Sequence, residues 1–208
     1  MNNNFGYKLL TPLMRILFKI VYNPKIINKE LIPKEGSIVI ACNHKHVYDQ
    51  CLTIMATKRP INYMAKKEYF EGKLAWFFKF VGCIPVNRNG KDDSAKKRAI
   101  SILKNNGAIG IFPEGTRNKT KNKILLDFKF GAVSLANKTD SLVVPCAITG
   151  DYKFRSKNLI IKYGKPFKVK DLKKANDHLY KEINSLINSN LKSTNRTMEE
   201  ELNSHNKG

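Results

Sequence analysis

The chain has 208 residues, 42% hydrophobic and 26% charged, a size and balance that suit one folded domain with a sizeable core and exclude a disordered or fibrous chain. Its charge is unusual: 38 Lys and Arg against 17 Asp and Glu give +21, a surface that attracts nucleic acid, anionic lipid headgroups or other polyanions without choosing among them. Part of that excess is solvated lysine, because Lys and Asn are abundant throughout.

The first predicted element is a short helix over residues 12–22, with Thr11 as N-cap, Pro12 at the first helical position and Pro24 as the stop. Lys8, Thr11, Arg15 and Lys19 fall on one narrow side, and Leu9, Leu13, Ile16, Leu17, Ile20 and their neighbours fill the rest. The apolar run is broken by charges and is shorter than the ~20 residues that span a bilayer. It reads as an interfacial helix with its basic side wet, in preference to one packing its apolar face on the domain. No signal peptide is expected.

A linker with Pro33 and Gly36 leads to a buried strand at Ser37–Cys42, then to a helix over 48–57 and a strand at Ile61–Ala65. Tyr69–Val81 reads as a helix, with Phe70, Leu74, Phe77 and Val81 on one face and Trp76 and Phe80 beside it. Core packing is its first reading; a wall of a substrate site or a membrane-facing patch is the second. Further on come a strand at Ile84–Val86, a basic surface helix over 92–105, a strand at Ala108–Phe112, a lysine-bearing loop, a helix near 130–138, and strands near 142–148 and 159–163. The helix over 171–191 carries Leu172, Leu179, Ile183, Leu186 and Ile187 as its apolar stripe. Strands alternating with helices predict an α/β fold, a layered mixed sheet flanked by helices. The expected organisation is a membrane-associating segment over 1–25, a catalytic domain over 26–192, and a polar tail over 193–208 that frays. Cys42, Cys51, Cys83 and Cys146 show no C-x-x-C spacing and read as reduced thiols, not as a zinc site.

Chemistry concentrates in four segments. Asn43-His44-Lys45-His46-Val47-Tyr48-Asp49 leaves a strand and enters a helix. On a continuous helix, residues five apart point about 140° away from each other, so a turn must lie between His44 and Asp49. The acid can then fix one ring nitrogen and leave the other as a general base. A structural His with a capping Asp has the same spacing, so this segment alone does not decide. Gly82-Cys83-Ile84-Pro85-Val86-Asn87-Arg88 and Phe112-Pro113-Glu114-Gly115-Thr116-Arg117 each end in an arginine, whose fork matches phosphate oxygens. In the latter, Gly115 permits close backbone approach, Thr116 offers a hydroxyl, and Glu114, which would repel a phosphate, is assigned to positioning, toward a substrate hydroxyl or an arginine. Val144-Pro145-Cys146-Ala147-Ile148 carries little chemistry alone, since Pro in an apolar strand is common at sheet edges. Lys66 and Lys67 read as part of the basic surface.

In this order, the four segments resemble those of glycerophospholipid acyltransferases, in particular the 1-acyl-sn-glycerol-3-phosphate acyltransferase family. The match spans 43–148, about half the chain, and Phe112–Arg117 is its most specific part. Phe128–Ala132 also looks like a family segment, and Val144–Ile148 is expected to help shape the pocket or lie near the donor. The resemblance implies that His44, held by Asp49, deprotonates the free hydroxyl of lysophosphatidic acid, and that Arg88, Glu114, Gly115, Thr116 and Arg117 hold its glycerol phosphate. The acyl donor would be acyl-CoA or acyl carrier protein, the product phosphatidic acid, and the location the cytoplasmic face of an anionic membrane, with no metal, cofactor or nucleic acid. One position departs: the family usually has Ser two residues after the His, where this chain has His46, either a bystander or a competitor for Asp49 or the phosphate. The rival readings are a glycerol 3-phosphate or other lysolipid acceptor, a basic nucleic-acid-binding module without a recognised motif, and a non-catalytic membrane scaffold.

Overall fold

The computed structural model describes residues 5–73, 75–87 and 92–205. In chain order its helices are α1 (Phe5–Val21), α2 (Asp49–Ala56), α3 (Ala75–Phe80), α4 (Asp93–Lys104), α5 (Gly131–Lys138), α6 (Leu172–Ser193) and α7 (Met198–Ser204). The strands are β1 (Lys25–Ile27), β2 (Ile38–Cys42), β3 (Ile61–Lys66), β4 (Ile84–Val86), β5 (Ala108–Ile111), β6 (Leu142–Thr149), β7 (Ile160–Tyr163) and β8 (Phe167–Lys168). Among the described residues they form one mixed sheet in the order β1-β7-β6-β2-β5-β3-β4, with β8 also on β6. The mixed α/β class expected from the alternation is thus observed.

Strand β2 is the centre, and all five of its residues are buried. It pairs in parallel with both β5 and β6, and a parallel strand covered on both faces is an uninterrupted apolar run. Alternation survives as a division between two cores. Val39 and Ala41 face α4, α5 and α6, against Ala99, Val133 and Ile183; Ile38, Ile40 and Cys42 face Leu52 of α2 and Phe18 of α1. Pro145 lies in an interior strand, not at an edge. It falls where β6 changes partner from β8 to β7, so its missing N–H interrupts neither antiparallel ladder, and its carbonyl accepts the Gly164 N–H at 2.9 Å.

The register gathers the motifs. Ala41 lies opposite Ile111 on one side and Pro145 on the other, while Lys66 lies opposite Val86. Parallel strands in register end together, so the segments beginning at Asn43, Asn87 and Phe112 emerge from one edge of the sheet, where open α/β sheets bind ligands.

Three expectations change. Helix α1 includes Phe5, and Thr11 is not a cap: it lies within the helix, with its hydroxyl donating to the Tyr7 carbonyl, and Pro12 is also interior. Arg15 is not on a wet side either. Its guanidinium donates to the carbonyls of Ile54 (3.1 Å) and Thr57 at the C-terminus of α2, where a cation meets the unpaired carbonyls and negative dipole end. The apolar residues Leu9, Leu13, Ile16, Leu17 and Ile20 are the exposed ones, each by more than half.

The Tyr69–Val81 segment is a 3-10 turn at Lys67–Phe70 followed by α3, and neither piece contributes a buried residue. Trp76 is 64% exposed, which removes the core reading; Leu74 lies outside the described residues. Helix α1 crosses α3 at Gly6, where a Cβ would come within 2.3 Å of the Phe80 carbonyl oxygen. Finally, residues 194–205 are ordered. Thr197 and Glu200 form a capping box that starts α7, and α7 buries Glu201 and Ser204, with His205 buried just beyond.

Candidate active site

The strand-to-helix turn from Asn43 to Asp49 is held from every side. The buried Asn43 amide acts as an extra rung of the sheet, donating to the Ile148 carbonyl (2.9 Å) and accepting the Ile148 N–H (2.7 Å). Asp49, the first residue of α2, is fully buried. Its Oδ2 faces His44 Nδ1 at 2.9 Å and accepts the backbone N–H groups of Lys45 (2.7 Å) and His46 (2.8 Å). Its Oδ1 accepts the Tyr152 hydroxyl at 2.7 Å. With Asp49 accepting from Nδ1–H, the other ring nitrogen, Nε2, carries the free lone pair. The His44 ring lies flat on Phe112, centroids 3.8 Å apart and planes 9° apart.

Glu114 faces neither a hydroxyl-binding space nor an arginine. Oε1 accepts the His44 backbone N–H (2.7 Å) and Oε2 accepts the Leu126 N–H (2.9 Å), while the Asn118 N–H donates to the His44 carbonyl (2.7 Å). Both backbone groups of His44 are therefore fixed by the Phe112–Asn118 loop. Burial pushes the Glu114 carboxyl up to about 7; the two amides oppose that, and the charge of Asp49 adds to it. Gly115 takes φ +73°, and a Cβ there would come within 2.9 Å of the Lys129 side chain, so glycine both permits the turn and lets a cation lie across it.

Two clefts meet at His44. The larger, about 550 Å³, is lined by Tyr63, Met64, Lys66, Thr116, Arg117, Lys119 and Leu126 among others. The smaller, about 350 Å³, is lined by Met64, Val86, Asn87, Gly110, Gly115 and Lys129 among others. Gly110 is required there because a Cβ would overlap the Tyr63 ring at 2.3 Å. Arg117 and Lys119 have no ion-pair or hydrogen-bond partner among the described residues, so their charges are available to an anion. Of the predicted site, His44 and Asp49 are joined, and Thr116 and Arg117 share the larger cleft with His44. Gly115 lines the smaller cleft, and Glu114 stands behind the His44 backbone. Arg88 lies outside the described residues.

His46 does not compete for Asp49 with its ring. The ring stacks on Tyr152 (centroids 4.2 Å apart), and its Nδ1 accepts the Tyr48 N–H (3.2 Å). Burial, with Arg117, Lys45 and His44 nearby, lowers its pKa against the pull of Asp49. Cys83 lines the larger cleft, but burial pushes its thiol up to about 11, so it is a poor source of thiolate at neutral pH. Lys67 lies outside both clefts, 3.6 Å from Glu71. Val144–Ile148 is buried strand behind the site. Sequence reasoning missed the bonds of Asn43 and Tyr152; each partner lies more than a hundred residues away and leaves no local signal.

A family model described as acyltransferase matches residues 23–149. The 1-acyl-sn-glycerol-3-phosphate acyltransferase of Bacillus subtilis is 34% identical over 146 residues, covering 69% of this chain and 71% of that protein. The enzyme of the same name from Streptococcus pneumoniae is 27% identical over 78% of this chain and 62% of its own length; that of Borreliella burgdorferi is 30% identical over 67% and 56%. The crystal structure of the 1-acyl-sn-glycerophosphate (LPA) acyltransferase PlsC from Thermotoga maritima superposes with a TM-score of 0.71, covering 91% of this chain and 80% of that one; at 20% identity, it speaks for the fold.

Proposed function

The chain belongs to the 1-acyl-sn-glycerol-3-phosphate acyltransferase family, whose members transfer acyl groups in glycerophospholipid synthesis, and from that premise we propose that it acylates the free hydroxyl of lysophosphatidic acid to give phosphatidic acid. The observation that carries this reading is the His44–Asp49 pair opening on a cleft that Arg117, without an ion-pair or hydrogen-bond partner among the described residues, also lines. An alcohol is a weak nucleophile at neutral pH, and a positioned base contributes about 10²–10⁴-fold. His44 Nε2 takes the hydroxyl proton as the acceptor oxygen attacks the carbonyl carbon of an acyl thioester. A carbon–oxygen bond forms, the carbon–sulfur bond breaks, and the imidazolium returns the proton to the departing thiolate. A thioester is already activated, so no acyl-enzyme is needed.

In this reading Arg117 clamps the acceptor phosphate through paired N–H donors, with the Thr116 hydroxyl, Lys119 and Arg88 assisting and Gly115 giving the turn its shape. Glu114, assigned from sequence to the substrate, instead positions the His44 backbone. The donor is acyl-CoA or acyl carrier protein, both anionic and matched to a +21 chain. No described helix is long and apolar enough to cross a membrane. The exposed apolar face of α1, with Trp76 and Phe77 of α3, would seat the protein peripherally on the cytoplasmic leaflet and bring the lipid acceptor to the cleft.

The test is to incubate the protein and vesicles with lysophosphatidic acid, glycerol 3-phosphate or a neutral lysolipid and a panel of thioesters, and to identify the products by mass spectrometry. Phosphatidic acid formed from lysophosphatidic acid alone is expected; transfer to the neutral lysolipid at the same rate would remove the phosphate clamp. Leu13→Glu with Ile16→Glu should weaken vesicle binding by at least about a hundredfold, given ~1.5–3 kcal/mol for each apolar side chain withdrawn from water.

A further inference from the structure

Lysine is among the residues least often buried, and the one next to the proposed base is only 3% exposed. Along the turn, the His44 side chain points to the clefts and that of Lys45 points away from them, into the space beneath α7. All three ammonium protons are used: Lys45 Nζ donates to the Gly150 carbonyl (2.8 Å), to Ser204 Oγ (2.5 Å) and to the Glu201 carboxylate. Glu201 is 1% exposed. Its other oxygen accepts the Gly150 N–H (2.9 Å) and lies 3.4 Å from the guanidinium of Arg196, which in turn pairs with Asp151 at 2.9 Å.

The connection returns to the base by two routes. Lys45 donates its own N–H to Asp49 Oδ2, and Gly150, held at both its carbonyl and its N–H by this pair, lies two residues before Tyr152, which donates to Asp49 Oδ1. We infer that Lys45 and Glu201 are positioning residues: their buried contact latches α7 onto the turn after β2 and holds Asp49 where it fixes the His44 ring. A segment more than 150 residues downstream would thereby complete the dyad from behind. This inference rests on His44 being the base.

Removing one partner leaves the other charge buried alone, so Lys45→Met or Glu201→Gln singly risks unfolding, whereas neutralising both keeps the interior compensated. The experiment therefore uses the full chain carrying Lys45→Met with Glu201→Gln, below its melting transition, with two readouts. Acyl-transfer kinetics should show kcat reduced about tenfold to a hundredfold with both KM values within about twofold, as misplacement of a reacting group predicts. The 15N chemical shifts of the His44 ring should move from those of the single Nδ1–H tautomer toward an average of two. A folded double variant with kcat within about twofold of the parent and an unchanged tautomer would overturn the latch. Activity in His44→Ala would instead remove the reading beneath it, and the ring nitrogens would still decide the latch by themselves.

Discussion

Asp49 and Arg117 stand at the same edge of the sheet, yet the first accepts four hydrogen bonds and the second has no ion-pair or hydrogen-bond partner among the described residues. The contrast extends to the loops that carry them. From Asn43 to Asp49 the buried polar groups are spent on the protein: Asn43 on Ile148, Lys45 on α7, the His44 backbone on Glu114 and Asn118. From Thr116 to Lys119 the Asn118 N–H is tied to the His44 carbonyl, but the cationic side chains are left over. A base must be held in one geometry before substrate arrives, because reorganisation during the reaction costs rate. A phosphate clamp gains from staying unpaired, since a resident carboxylate would have to be displaced. Arg59 and Arg15 show the alternative. Arg59 donates to the carbonyls of Pro33, Gly36 and Asn106, and Arg15 to those of α2; both are structural.

Breaking the satisfied loop should have the largest effect. His44→Ala should lower kcat about 10²–10⁴-fold while the circular dichroism spectrum is unchanged; retained activity would end the base assignment. Next in size is the unsatisfied loop. Arg117→Ala removes charge-assisted hydrogen bonds of roughly 1.5–3 kcal/mol, so the KM for a phosphorylated acceptor should rise about tenfold to a hundredfold with little change toward the thioester. A defect confined to the donor would reverse the clamp's assignment.

Glu114→Gln probes the join between the loops. The amide can keep one of the two N–H bonds but not both, and kcat should fall about tenfold. It also changes the pH dependence of stability. With the folded carboxyl near 7 and its ordinary value at 4.5, the folded state favours the protonated acid. That contribution is fully present below about 4.5 and is lost as the pH rises through 7, on the order of 3 kcal/mol in all. Denaturant melts of the parent should therefore show a loss of stability across this window that the Gln variant lacks; equal slopes would mean the carboxyl is ionised throughout. The smallest change is Tyr152→Phe, which removes one of four donors from Asp49 and should cost about 1 kcal/mol, a several-fold drop in kcat. A drop as large as that of His44→Ala would give the hydroxyl a direct role.

The order of strands and helices was legible because both periodicities are local. The run Ile38–Cys42 can only be a buried strand once it is followed by a turn-forming segment, and the i,i+5 spacing of His44 and Asp49 required that turn. Strands β1 and β8, three and two residues long, are too short to show a period and were not foreseen. The reading of Tyr69–Val81 as core failed for another reason: aromatic density measures affinity for a nonaqueous surface and does not say whether protein supplies it.

By itself, then, the sequence determined which residues share a face, which segments carry chemistry, and that strands would alternate with helices, since each follows from neighbours within a few positions. Tertiary structure alone decided which face of α1 turns outward, that Glu114 serves the His44 backbone, and that a polar C-terminal stretch becomes α7 with Glu201 buried on Lys45. Those outcomes depend on partners separated by tens to more than 150 residues, whose attraction exists only once the sheet has brought them within hydrogen-bonding distance.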